Sequence, residues 1–130
     1  MEIPNFQCKI LAYCKINPSE DPHNVEQAVS NILPRIEIKI TETYLEATSQ
    51  TIETLSKIYE TIHSRKSQNV YRRHLITNLE ADSSWFFLNK QAAFSNIITI
   101  CDEAEESPLG PIRVSILSRD IEGVINWLLS

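Results

Sequence analysis

The sequence predicts an α+β protein in which a single mixed sheet is covered by helices on one face. In the first half, segments with an apolar residue at every second position alternate with segments whose apolar residues recur every three or four positions. In the second half, three strand-type segments follow one another before a last helical one. The predicted order is β-α-β-β-α-α-β-β-β-α. Its first seven elements make a split β-α-β arrangement of the ferredoxin-like type with a doubled second helix.

Length and composition indicate one domain that spans residues 1–130. The formal net charge is −5, so any binding of nucleic acid has to depend on a local cluster of cations rather than on the overall field. The start, MEIPNFQCKI, lacks the basic beginning and long apolar run of a secretory signal, and no stretch approaches the ~20 apolar residues of a membrane span. We therefore expect a cytoplasmic protein with reduced cysteines.

The first strand and the first helix have the clearest patterns in the chain. Apolar and polar residues alternate between Phe6 and Ile16, which predicts a half-buried strand. Asp21 suits the N-cap and Pro22 the first position of a helix that Pro34 ends. The apolar stripe of this helix is predicted to be Val25, Ala28, Val29, Ile32 and Leu33.

The remaining elements follow from the same two periodicities. Strands are predicted at residues 35–40, 44–49, 83–89, 97–101 and 111–116. Helices are predicted from residue 52 to 62, from 70 to 79, and after an N-cap at Ser118 or Asp120.

The fourth and fifth predicted strands are apolar on both faces, unlike the others. A sheet covered on one side only should alternate apolar and polar residues. A further layer is therefore expected here, either the last helix or a second copy of the chain. We predict a homodimer contact formed by Trp85, Phe86, Phe87 and Ile97.

Several phrases resemble a known family. They are LNKQAAF at residues 88–94, EESPLGPI at 105–112, NPSEDP at 17–22 and the end of the chain around Trp127. Through these four phrases the chain resembles a family of small, mostly archaeal proteins. The members are described as predicted RNA-binding proteins and have been suggested to be linked to the exosome. The resemblance implies a ribosomal-protein-like α+β sandwich and a place in an RNA-processing or ribosome-related assembly. It supplies no catalytic residues.

Strand alternation places cations and tyrosines together on the outward face of the sheet. Open sheets bind single-stranded RNA by stacking bases on aromatic rings and neutralising phosphates with cations. The alternative is a solvated face on which lysines and glutamates pair across strands. The candidate RNA-binding residues of this face are Lys9, Tyr13, Lys15, Lys39, Tyr44 and Arg113.

A second group of cations, Arg65, Lys66, Arg72 and Arg73, lies in a segment without carboxylates between residues 61 and 79. Four cations at a helix-loop-helix corner could hold phosphates without selecting bases. The alternative is that Arg65 and Lys66 stabilise the C-terminal end of a helix.

Lys90 and Gln91 form the third candidate group. At the end of a strand they could donate hydrogen bonds to a phosphate or a ribose hydroxyl. In the alternative interpretation, Asn89 and Gln91 satisfy backbone groups at a bulge.

Catalytic and metal-binding patterns are weak. The acidic run at residues 102–106 lacks the glycine and spacing of an EF-hand loop, so a solvated connection is favoured over a divalent-ion site. The histidines fall in different elements without ligand spacing, and nucleotide-binding glycine motifs are missing. We therefore predict a non-enzymatic RNA-binding protein without cofactor or metal. The alternative is a dimeric scaffold or adaptor that binds protein and has no nucleic-acid role.

Overall fold

The computed structural model describes residues 4–130, so the first three residues of the predicted 1–130 domain lie outside it. The described part of the chain forms six strands and five α-helices. The strands are β1 (Lys9–Lys15), β2 (Glu37–Ile40), β3 (Tyr44–Ser49), β4 (Ser83–Leu88), β5 (Ile100–Cys101) and β6 (Ile112–Leu117). The helices are α1 (Pro22–Ile32), α2 (Ser56–Arg65), α3 (Gln68–Thr77), α4 (Lys90–Phe94) and α5 (Ile121–Leu128). Single 3₁₀ turns occupy Ile52–Leu55 and Ala104–Glu106.

The helix α4 is missing from the predicted order. Asn89 caps it, since its side-chain oxygen accepts a hydrogen bond from the Ala92 amide at 2.9 Å. The prediction of a strand over residues 97–101 was also too long, because only Ile100 and Cys101 pair with β4. Asn96 has a positive φ of 62° just after α4, so the chain turns there before it can extend.

The strands form one sheet in the order β2-β3-β1-β6-β4-β5. The predicted mixed sheet is wrong, because each neighbouring pair of described strands is antiparallel. β1 and β2 run in the same direction but are separated by β3, as in a split β-α-β unit.

The neighbour of β1 on its other side differs from the ferredoxin-like plan. In that plan the strand after the second helix would lie beside β1, but here β6 occupies the position and β4 lies beyond it. Two successive helices, α2 and α3, reverse the chain twice. β4 therefore runs in the direction of β1, and β6, which runs the opposite way, pairs antiparallel with both.

One face of the sheet packs against the helices in a single buried cluster. The predicted stripe of α1 is fully buried, and Asp21 caps the helix as expected by accepting from the His23 amide at 2.9 Å. Asp120, one of the two predicted caps of α5, accepts from the Gly123 amide at 3.1 Å. The buried sheet residues include Ile10, Ala12, Cys14, Leu45, Ala47, Phe86, Leu88, Ile112, Val114 and Ile116. Among the described residues, no helix is both long and apolar enough to cross a membrane.

Candidate nucleic-acid interface

The face of the sheet opposite the helical layer is called the outer face below. Its charged and aromatic residues come from five strands, and strand register brings them onto one surface. The strand β1 lies near the middle, with Tyr13 directly opposite Glu46 on β3 and Arg113 on β6. The charged and aromatic members of the outer face are Lys9, Tyr13, Lys15, Glu37, Lys39, Tyr44, Glu46, Trp85, Phe87 and Arg113.

Two aromatic pairs lie on the outer face. The rings of Tyr13 and Tyr44 stack with centroids 6.0 Å apart and planes 28° from parallel. Tyr13 is 47% exposed, so one side of this pair is open to a flat ligand. The second pair, Trp85 and Phe87, has ring centroids 4.9 Å apart. The prediction that Tyr13 and Tyr44 are neighbouring outward aromatics is confirmed.

Cations outnumber carboxylates on the outer face. In the described strands the cations of this face are Lys9, Lys15, Lys39 and Arg113, and the carboxylates are Glu37 and Glu46. The formal charge of these six side chains is +2, in a chain whose total is −5. Lys39 lies opposite Glu46 in the register, but within residues 4–130 no ion pair joins any two of the six. The cross-strand pairing that would neutralise this surface is therefore not formed.

The surface between these side chains is concave. A depression of about 490 Å³ is lined by residues of β1, β2, β3 and β6, among them Lys9, Tyr13, Lys39 and Arg113. Arg113 lies at its border, because its guanidinium carbon is 4.4 Å from the centre of the Trp85 ring. A cation at this distance from an aromatic face is attracted by the ring, so the contact favours this position of the guanidinium.

The predicted basic corner is partly neutralised by a distant carboxylate. Arg73 Nη2 lies 2.7 Å from Asp102 Oδ1, and His74 Nε2 lies 2.9 Å from the same oxygen. Arg65 donates to the Ile98 carbonyl at 3.2 Å. The acidic run is thus not only a solvated connection, since Asp102 binds α3. Lys66 and Arg72 remain exposed, and Lys66 ends α2 in the left-handed conformation.

The structure corrects the prediction that Lys90 contacts RNA. The side chain is 3% exposed, and its ammonium donates to Lys15 O, Glu20 Oε1 and Leu109 O at 2.8, 2.9 and 2.9 Å. An ammonium has three N–H donors, so none remains for a phosphate. Gln91 is exposed, but one N–H of its amide donates to Pro108 O and its oxygen accepts from Ser107. The contacts therefore support the alternative interpretation, in which Asn89 and Gln91 satisfy backbone groups.

The network around Lys90 joins three distant segments. Asn17 donates to Glu20 Oε1 at 2.8 Å and to the Leu109 carbonyl at 2.7 Å. Asn17 and Glu20 belong to the NPSEDP phrase, Lys90 to LNKQAAF, and Leu109 to EESPLGPI. Three of the four phrases that carry the family resemblance thus meet at one buried ion pair.

The predicted dimer contact is wrong for Phe86, which is fully buried in the core and packs edge-on against Tyr71 with ring centroids 5.5 Å apart. Trp85 and Phe87 are half-buried on the outer face. Ile97 is 45% exposed but lies before β5 rather than in it. Buried and half-buried side chains therefore alternate along β4, although both kinds include large apolar residues. The two outward aromatic residues, Trp85 and Phe87, are part of the candidate interface.

Over residues 4–130, the side chains form no group of three or more His, Cys, Asp or Glu residues placed to hold a metal ion. The cysteines in this range are free thiols. Burial raises the pKa of Cys14 and Cys101 to about 11 each, so both thiols stay protonated near neutral pH. Such thiols behave as small apolar side chains.

Comparison with known proteins places the chain in a family. A family model described as RNA binding matches residues 9–117. A UPF0201 protein of Metallosphaera sedula is 35% identical over 123 residues, covering 92% of this chain and 86% of the relative. The chain belongs to the UPF0201 family. The UPF0201 protein of Methanothermobacter thermautotrophicus is 34% identical over 120 residues, covering 92% of this chain and 89% of that protein.

The fold of a solved UPF0201 structure agrees with the one described here. The crystal structure of the UPF0201 protein from Methanococcus jannaschii superposes with a TM-score of 0.80 at 25% identity, covering 94% of this chain and 99% of that one. The resemblance to an archaeal family of small predicted RNA-binding proteins is thereby confirmed.

Proposed function

We propose that this UPF0201 member is a non-enzymatic protein that binds single-stranded RNA on the outer face of its sheet. The observation that carries the proposal is the stacked Tyr13–Tyr44 pair, bordered by lysines that form no ion pair within residues 4–130. The family description supports the same ligand. The RNA-processing or ribosome-related assembly implied by the resemblance is part of this proposal, as is a ribosomal-protein-like sandwich with one open sheet face.

The arrangement favours a single strand over a duplex. Unpaired bases can splay outward and stack on an exposed ring such as Tyr13, whereas the bases of a duplex are already stacked on one another. Lysines at both ends of β1 lie six residues apart, about 20 Å at the rise of a strand. They can therefore contact phosphates on either side of a stacked base.

The same open surface supports an alternative function as a dimeric scaffold. Trp85 and Phe87 are large, half-buried side chains on the outer face, and a second copy could cover them. Such a dimer would compete with RNA for this surface. If the solution particle has twice the mass of one chain and RNA neither binds it nor splits it, the scaffold is the better account.

A salt series with the intact protein tests the RNA proposal. Each phosphate neutralised on a single strand lowers the slope of log K against log salt by about 0.7. With four outer-face cations engaged, we expect a slope of about −2.8 for a short single-stranded RNA, measured by fluorescence anisotropy. A duplex of the same sequence should bind more weakly. Binding that ignores salt, or a preference for the duplex, would contradict this interface.

A further inference from the structure

A second concave site lies at the edge of the outer face, where β4 meets α3. It has a volume of about 290 Å³ and is lined by Arg73, His74, Thr77, Asn78, Trp85, Phe87 and Asp102. We call it the Asp102 pocket. It is contiguous with the proposed RNA surface through Trp85, whose ring also contacts Arg113. Its volume lies at the low end for small-molecule sites, which suits one base rather than a whole nucleotide.

The polar wall of the pocket is a carboxylate held in a fixed orientation. Arg73 and His74 both contact Asp102 Oδ1. The hydrogen bond from His74 and the charge of Arg73 hold the pKa of Asp102 below its ordinary value, so the group is ionised at neutral pH. A carboxylate has about four lone-pair sites, and the two contacts on Oδ1 leave those of Oδ2 for a ligand.

A second acceptor lines the same pocket. Asn78 Nδ2 donates to the Trp85 carbonyl at 2.9 Å, which fixes the side-chain amide. Its Oδ1 is therefore an acceptor. Thr77, Trp85 and Phe87 complete the lining. The acceptors of Asp102 and Asn78 thus lie beside two aromatic residues, and this combination suits a flat molecule with N–H donors on its edge.

A phosphate does not fit this description. The ionised Asp102 would repel it, and the same carboxylate offsets the positive charge of Arg73, the arginine that lines the pocket. The pocket is therefore chemically different from the lysines of β1, which have no such partner among the described residues.

We propose that the Asp102 pocket is a base-selective subsite that accepts a nucleobase bearing an exocyclic amino group and disfavours uracil. This inference rests on the proposed RNA-binding function for its biological role. Cytosine donates from its N4 amino group to a carboxylate, a pairing used in base recognition. Uracil carries a carbonyl oxygen at the same place, and that oxygen would face the Asp102 carboxylate.

The test uses cytidine and uridine, which differ at this one edge, with the full chain. Binding is followed by NMR at the Trp85 indole N–H, assigned by a Trp127→Phe variant. We expect cytidine to shift this signal with an affinity at least about fivefold higher than uridine, the lower end of one good base contact. Asp102→Asn should abolish the preference. Glu103→Gln, the same loss of charge one residue away on an exposed side chain, should leave it intact.

The outcomes separate this inference from the RNA proposal. If the nucleosides bind with the expected preference but RNA oligomers do not bind, the subsite stands and the outer-face function fails. If oligomers bind with the expected salt slope but neither nucleoside moves Trp85, or both bind equally, the subsite is wrong and the function stands. An Asp102→Asn variant that keeps the preference also overturns the subsite.

Discussion

Lys90→Met is expected to lower the free energy of unfolding by about 3–5 kcal/mol, the cost of breaking a buried ion pair by removing one partner. Methionine keeps the length of the side chain but leaves Glu20 without its cation. The carbonyls of Lys15 and Leu109 lose a donor at the same time. Urea unfolding followed by circular dichroism measures the change.

An exposed lysine provides the matched control. Lys57 lies on α2, and its exposed ammonium donates one hydrogen bond, to the Asn31 carbonyl at 2.8 Å. Water can replace this donor, so Lys57→Met should change stability by no more than about 1 kcal/mol. Adding Glu20→Gln to Lys90→Met should recover part of the loss, because the uncompensated carboxylate is then gone. If Lys90→Met is as stable as Lys57→Met, the described network does not hold the three segments together.

The same ion pair also predicts a pH dependence. Burial alone raises the pKa of Glu20, but hydrogen bonds from Asn17 and Lys90 outweigh it, and the net pKa lies below its ordinary value of 4.5. When the pKa of a carboxyl is lower in the folded state than in the unfolded state, its ionised form stabilises the fold. The contribution of Glu20 is therefore complete at a pH above its unfolded-state pKa, and it is lost as the pH falls through its folded-state pKa. Stability should therefore fall as the medium is acidified below about pH 4.5, and less so in Lys90→Met.

Replacing Lys9, Lys15 and Lys39 together by glutamine is expected to weaken RNA binding about 50-fold at 0.15 M salt. The figure follows from three lost phosphate contacts at about 0.7 each in the salt exponent. The salt slope should become shallower by about 2.1. All three lysines are exposed, so the fold should be unaffected. Anisotropy titrations at several salt concentrations give both quantities.

Lys57→Gln again serves as the control, because it removes an exposed lysine from a helix rather than from the outer face. It should change RNA affinity by less than about twofold, since contacts beyond a Debye length are largely screened. Equal effects per lost charge in the two variants would mean that RNA responds to the total charge of the protein. The outer face would then have no special role.

Local periodicity was sufficient to predict most of the elements and the two faces of the sheet. The alternation in β1 and β3 placed Tyr13 beside Tyr44, and the caps Asp21 and Asp120 were visible as residue types. Strand order was harder, because the position of β6 beside β1 depends on how α2 and α3 reverse the chain. The short helix α4 has no periodic stripe, and Asn89 is its only local signal.

The polar contacts that join distant segments could not be predicted. Lys90 reaches Glu20 across 70 residues, and Asp102 reaches His74 across 28. Neither pairing has a spacing rule in the sequence, since both depend on the folded chain. A lysine in the LNKQAAF phrase therefore looked like an RNA contact, and the Arg73 corner looked free of carboxylates.

The most direct test of the central claim is the NMR map of the intact protein as a short single-stranded RNA is added. Binding on the outer face predicts that the largest chemical-shift changes occur at Tyr13, Tyr44 and their neighbours on β1 and β3. The buried residues of α1 should hardly respond. RNA that binds while the signals of β1 and β3 stay unchanged, or RNA that moves no signal at all, would contradict the account.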